Sequence, residues 1–152
     1  METYYLDASA LAKRYIEERG TVFIRGLFFK KAADLITSQI CELELCSALW
    51  RRTSEGALSQ AQFHAALQQL DLDLKDRIIQ MEASLEIVQR GRGFIVQHGL
   101  RPLDAVHLAT AMIMQSSNIL DPNSRLVFAC SDIRLKNVAE GEGLEVLDPS
   151  TV

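Results

Sequence analysis

The run Thr3-Tyr4-Tyr5-Leu6 is short, apolar and rich in β-forming residues, and it stops at Asp7. The chain then passes directly into Ala8-Ser9-Ala10-Leu11-Ala12-Lys13, a helical pattern. An apolar run of this kind with a polar stop reads as a buried strand, and a strand that feeds a helix is half of a βαβ unit. In open parallel α/β sheets the carboxyl edge of the strands is where ligands bind, so Asp7 is expected at that edge. Near the other end, Leu126-Val127-Phe128-Ala129-Cys130-Ser131 runs into Asp132 in the same way. Two acids at strand ends suggest an acidic pocket, and an acidic pocket suggests a divalent metal.

The rest of the chain continues the alternation. Helical patterns are expected over about 8–18, ended by Gly20, and over about 21–32. Asp34–Ser38 reads as a second strand and 39–54 as a long helix closed near Gly56. Ser59 with Gln62 three residues on is a capping box for a helix reaching Leu70 or beyond. Ile78–Met81 is a short strand, and 82–97 a helix stopped at His98-Gly99. Pro102 suits a first helical turn, so 103–117 forms an apolar, central helix. Asn118–Ser124 is a loop, Arg125–Ser131 a strand, Asp132–Glu140 a helix and Leu144–Leu147 a last strand. Strands alternating with helices imply right-handed crossovers, hence an α/β fold with a parallel sheet covered on both faces. No repeat or linker interrupts the pattern, and one domain over residues 1–152 is expected.

The net charge of −4 argues against a protein that coats nucleic acid by bulk charge, but leaves room for a local basic patch. No apolar run approaches the roughly 20 residues of a membrane span. The first residues lack the basic start and apolar stretch of a signal peptide, so a cytoplasmic location without membrane attachment is expected. Cys41, Cys46 and Cys130 form no Cys-x-x-Cys and read as plain buried thiols rather than a zinc set.

Each acid also has a plain structural role open to it. Asp7 and Asp132 could be helix N-caps, and Asp104 could complement the dipole in a first helical turn. Together, however, three such carboxylates would repel one another unless something positive sat between them. The 39–54 helix offers Glu42 and Glu44, which lie about 200° apart and cannot share one site. Glu44 shares a stripe with Ser47 and Arg51, which suits a cleft lining; Glu42 lies among Leu45, Cys46 and Leu49. Glu44 is therefore preferred, with Glu42 as the alternative.

Five segments carry a resemblance to a known family: Tyr5-Leu6-Asp7-Ala8-Ser9-Ala10-Leu11; Thr37-Ser38 with Glu44-Leu45-Cys46-Ser47-Ala48-Leu49; Leu103-Asp104-Ala105-Val106-His107-Leu108-Ala109; Ser131-Asp132-Ile133-Arg134-Leu135; and Gly143–Pro149. In this order and spacing they resemble the PIN domain, and most closely the VapC-type toxin nucleases. The resemblance implies a three-layer α/β/α sandwich with a central parallel sheet. It implies that Asp7, Glu44, Asp104 and Asp132 hold Mg²⁺ or Mn²⁺, with Ser9 and Ser131 beside the acids. It also implies RNA cleavage, homodimerisation and inhibition by a small cognate antitoxin. The stretch over about 56–97 carries no motif.

Oxygen ligands suit Mg²⁺ or Mn²⁺, and a bound cation would lower the pKa of a water for in-line attack on phosphorus. Asp7 and Asp104 are expected to hold the principal ion, with Glu44 and Asp132 orienting water or completing a second site. His107, three residues after Asp104, is expected to be a hydrogen-bonded structural histidine, with a general-acid role as the alternative. Lys13, Arg14, Arg51 and Arg52 are the candidates for RNA phosphate contacts, with solvated surface charge as the plain alternative; Arg90 and Arg92 are weaker ones. A receiver domain would want paired acids after the first strand, a haloacid-dehalogenase-like phosphatase an Asp where Ser9 stands, and a dinucleotide-binding enzyme a Gly-x-Gly-x-x-Gly. None is present. The remaining alternatives are a catalytically idle PIN-like interaction module and an RNA-processing nuclease outside any toxin–antitoxin pair.

Overall fold

The computed structural model describes residues 1–152. Five strands form one all-parallel sheet: β1 (Glu2–Leu6), β2 (Ala33–Ser38), β3 (Ile78–Met81), β4 (Arg125–Ala129) and β5 (Val146–Leu147). Their order is β3-β2-β1-β4-β5. The flanking helices are α1 (Ala8–Leu11), α2 (Thr21–Phe29), α3 (Cys41–Ser54), α4 (Gln60–Asp76), α5 (Leu85–His98), α6 (Pro102–Ser116) and α7 (Ile133–Gly141). The chain runs outward from β1 through β2 to β3, then returns to build β4 and β5 on the other side. The reversal at β1 leaves a crevice beyond the carboxyl ends of β1 and β4, the general ligand position of open α/β sheets.

The alternation of side chains along β1 divides the core in two. Tyr4 and Leu6 pack with Leu35, Val127 and the inner faces of α1, α2, α3 and α4. Tyr5 points the other way and packs with Ile36, Phe128 and the inner faces of α5, α6 and α7. The Tyr5 and Phe128 rings stack across neighbouring strands with centroids 5.5 Å apart. The result is the expected three-layer α/β/α arrangement, with β1 buried on both faces.

Three elements depart from the sequence reading. The first helix, expected to reach residue 18, ends at Leu11 and tightens into a 3₁₀ turn over Ala12–Arg14. Arg14 and Tyr15 are both drawn to Asp73 on α4, and Thr21 accepts from the Glu18 N–H while donating to the Ile16 carbonyl. These tertiary bonds redirect the backbone that would otherwise continue the helix. At the far end β4 stops at Ala129, because Asp132 caps α7 by accepting from the Leu135 N–H. The last strand shrinks to Val146–Leu147, followed by a 3₁₀ turn over Pro149–Thr151. Cys46, expected to be buried, is only half-buried, while Cys41 and Cys130 are buried as expected; all three are free thiols.

The chain after β5 is held against α7 through Asp148. Lys136 Nζ lies 2.9 Å from Asp148 Oδ2, and Asp148 Oδ1 accepts from the Ser131 hydroxyl at 2.7 Å and the Ser150 N–H at 2.9 Å. Burial works to raise the Asp148 pKa, but the donors outweigh it and bring the carboxyl down to about 2. An acid whose pKa is depressed in the fold adds stability that is complete above its unfolded value and disappears as pH falls through its folded value. Acid titration of stability should therefore show a component lost between about pH 4 and pH 2, absent in Asp148→Asn. A second expectation concerns glycine. Gly20 has φ +92°, and a Cβ there would lie 2.4 Å from the Pro149 carbonyl oxygen, whereas Gly26 in α2 has open space. Gly20→Ala should cost at least about 1–2 kcal/mol, and Gly26→Ala should gain up to about 1 kcal/mol; urea unfolding midpoints measure both.

Candidate active site

Asp7 follows the last residue of β1, where its N–H donates to the Ala129 carbonyl of β4 at 3.2 Å. The residue is 2% exposed. Oδ1 accepts from the Ala10 N–H at 2.9 Å and so caps α1. The Ser9 hydroxyl reaches Oδ1 at 2.7 Å and Oδ2 at 2.9 Å, and the Cys130 thiol reaches Oδ2 at 3.2 Å. Burial pushes the Asp7 carboxyl above its usual range, against the pull of His107 and the donors just named. The same carboxylate raises Cys130, already pushed up by burial, so that thiol stays protonated. Ser9 in turn accepts from the Ser131 N–H at 2.9 Å, and the Ser131 hydroxyl holds Asp148.

Asp132, past the end of β4, has one oxygen on each of two tasks. Oδ1 caps α7, while Oδ2 accepts from Arg101 Nη2 at 2.8 Å. Arg101 Nε donates to Asp104 Oδ2, also at 2.8 Å. Asp104 lies in the first turn of α6, three residues after Arg101 at the helix N-cap. The positive group that the repulsion argument demanded is thus present as a side chain of the chain itself. The helix-cap roles of Asp7 and Asp132 also hold, and the Asp132 oxygen not used in capping is the one that Arg101 engages.

Glu44 is brought in from the opposite layer. Its Oε1 lies 2.6 Å from His107 Nε2, and His107 Nδ1 lies 2.8 Å from the Tyr5 hydroxyl. His107 is 1% exposed, and both its ring nitrogens are hydrogen-bonded. Glu42 on the same helix is exposed. Glu44, Arg101 and Asp104 share a cleft of about 370 Å³ with Pro102 and Leu103.

Cys41 joins Glu44 and His107 with potential ligand atoms within 4.8 Å of one another, a grouping not anticipated from the sequence. Burial raises the Cys41 thiol far above its usual range, and His107 has no free nitrogen, so this trio suits packing rather than a soft metal. Asp104 and Asp132 share the Arg101 guanidinium, while Asp7 is held by Ser9 and Glu44 by His107; the donors these acids offer are oxygens alone, which suit a hard cation rather than a soft one.

The four basic candidates divide. Lys13, Arg51 and Arg52 line a second cleft of about 450 Å³ together with Ser9, Glu18 and Glu55. Ser9 therefore faces that basic cleft while holding Asp7. Lys13 pairs with Glu18 at 3.1 Å, and Arg52 lies 3.7 Å from the same carboxylate. Arg14 does not belong with them: its guanidinium is held by Asp73 at 2.9 Å and lies 4.4 Å over the Phe28 ring. The geometry gives Arg14 a structural task and no support as a phosphate contact.

Arg101, Tyr5, Cys130 and Asp148 were absent from the sequence-derived site. Arg101 alone had a local signal, its spacing of three residues from Asp104 at a helix start. The others reach the site only through the strand order and the path of the last turn.

The family model described as PIN domain matches residues 4–141. Ribonuclease VapC35 of Mycobacterium tuberculosis is 30% identical over 146 residues, covering 95% of this chain and 96% of that protein. Among solved structures, VapBC2 from Rickettsia felis bound to a DNA fragment from their promoter superposes with a TM-score of 0.63 at 14% identity, covering 95% of this chain and 97% of that one. Mycobacterium tuberculosis VapC20, a sarcin-ricin loop cleaving toxin, gives 0.59 at 16% identity, covering 79% and 91%. The family model spans most of the chain and the VapC35 similarity runs over nearly its full length, so the chain belongs to the PIN domain family, among its VapC-type members.

Proposed function

We propose that this chain is a divalent-metal-dependent endoribonuclease and the toxin of a type II toxin–antitoxin pair, acting in the cytoplasm as a single domain over residues 1–152. The observation that carries the reading is the contact path at the carboxyl edge of the sheet. It runs from Asp7 through the Cys130 thiol to the main-chain carbonyl of Asp132, and from the Asp132 carboxylate through Arg101 to Asp104. The VapC35 relative, named a ribonuclease, supports the choice of RNA as substrate.

In this reading Asp7, Glu44, Asp104 and Asp132 hold Mg²⁺ or Mn²⁺. When bound, the cation supplies a lowered water pKa and charge neutralisation for phosphodiester hydrolysis. The chain's own residues do the positioning. Ser9 and the Ala10 N–H fix both oxygens of Asp7, and Tyr5 through His107 fixes Glu44. Lys13, Arg51 and Arg52 bind backbone phosphates, and Ser9 joins their cleft to the acids. Hydrolysis would form the bond from a water oxygen to phosphorus as the bond from phosphorus to the 3′ oxygen breaks, the water giving a proton to solvent and the 3′ oxygen leaving as a hydroxyl. An antitoxin inserting a Lys or Arg among the carboxylates would block the site by taking the cation's place. A homodimer is the proposed assembly. No helix is long and apolar enough to cross a membrane.

Two experiments test this. Asp7→Asn should reduce RNA cleavage to background, as should EDTA on the unchanged chain, with Mg²⁺ or Mn²⁺ restoring only the latter. Because Asp7 is a buried charge, the Asp7→Asn protein should melt at the same temperature or a few degrees higher without metal; cleavage retained in a folded Asp7→Asn protein overturns the assignment. The second separates the arginines. Arg51→Ala with Arg52→Ala should weaken RNA binding across sequences and flatten the logarithmic salt dependence by about one to two units. Arg14→Ala should instead lower thermal stability and leave RNA affinity in the folded fraction unchanged.

A further inference from the structure

We infer that the Arg101 guanidinium is a built-in counter-ion of the acidic site, which a divalent cation must displace from Asp104 and Asp132 in order to bind. The inference rests on the metal-nuclease reading above and adds how the free chain neutralises that site. Arg101 bridges the two acids through different nitrogens, both at 2.8 Å. On Asp132 the bridged oxygen is Oδ2, the one not consumed in capping α7. A cation recruiting Asp132 would therefore need the same atom that Arg101 holds. The side chain is 66% exposed and makes no hydrogen bond to any other residue. This sets it apart from Arg14, which is packed on Phe28 and bonded to Asp73. A solvated pair of this kind adds little to folding and exchanges readily, so it can yield to a stronger cation. The two acids are much less exposed than the guanidinium, at 14% for Asp104 and 28% for Asp132, so they stay in place when it leaves. Arg101 thus spares the free chain the mutual repulsion of these carboxylates and sets a threshold of cation concentration for loading the site.

The test is a Mn²⁺ titration of the full chain without RNA, read by electron paramagnetic resonance of the free ion and by calorimetry. Arg101→Gln should bind Mn²⁺ roughly three- to tenfold more tightly than the unchanged chain, as two exposed pairs are removed. Arg101→Lys, a point charge without the fork that spans two acids, should fall between them. Arg125→Gln removes the same charge at the opposite edge of the sheet, where Arg125 pairs with Glu145, and should change affinity by less than about twofold. Equal or weaker binding by Arg101→Gln, or an equal gain in Arg125→Gln, overturns the inference while leaving the metal reading intact. Absence of Mn²⁺ binding in every variant and in the unchanged chain at millimolar metal overturns both.

Discussion

A carboxylate removed from water at the end of β1 is the constraint around which this sheet edge is arranged. Asp7 is tolerated because donors surround it: a backbone N–H of the helix it caps, the Ser9 hydroxyl and the Cys130 thiol. None of these donors is charged, so the carboxyl remains pushed toward protonation. The positive charge in the neighbourhood enters through Arg101, which engages Asp104 and Asp132 and leaves Asp7 alone. The edge is therefore satisfied in hydrogen bonds yet only partly neutralised. That imbalance is what a hard cation would complete.

The topology does the gathering. Asp7 and Asp132 follow neighbouring parallel strands, and the direction of β1 and β4 alone puts both at one end. Glu44 and Asp104 come from helices in different layers. Glu44 is joined to α6 by a single hydrogen bond to His107, whose other nitrogen is tied to Tyr5 in the sheet. The buried histidine thus locks a helix of one layer to a helix of the other across the end of the sheet.

Much of this was legible in the residues. The polar stops after apolar runs located Asp7 and Asp132, because a parallel strand must be apolar on both faces and change character where it leaves the sheet. Helical spacing chose Glu44 over Glu42, since only one can face inward. The capping box at Ser59 and Gln62 is a local device, and it formed as expected. What escaped was tertiary. Ala8–Glu18 has helical character, yet the pull of Asp73 on Arg14 and Tyr15, some 60 positions away in sequence, outweighs local propensity. Arg14 looked equivalent to Arg51 and Arg52 for the same reason: an arginine's sequence neighbours do not show which carboxylate it meets. Arg101 was hidden by its neighbour, since Arg101-Pro102 reads first as backbone punctuation.

The anchoring of the chain after β5 has a practical corollary. Asp148 grips the Ser131 hydroxyl, the Ser131 N–H bonds Ser9, and Ser9 bonds both oxygens of Asp7. Four residues from the end of the sequence, Asp148 is thereby three links from the buried acid of β1. Met1 sits at the other edge of the sheet, beside Ser124 and Arg125. The two termini therefore differ in what they support: loss of the segment from Asp148 onward would remove a brace of the buried acid, whereas a change at Met1 falls at the far edge of the sheet.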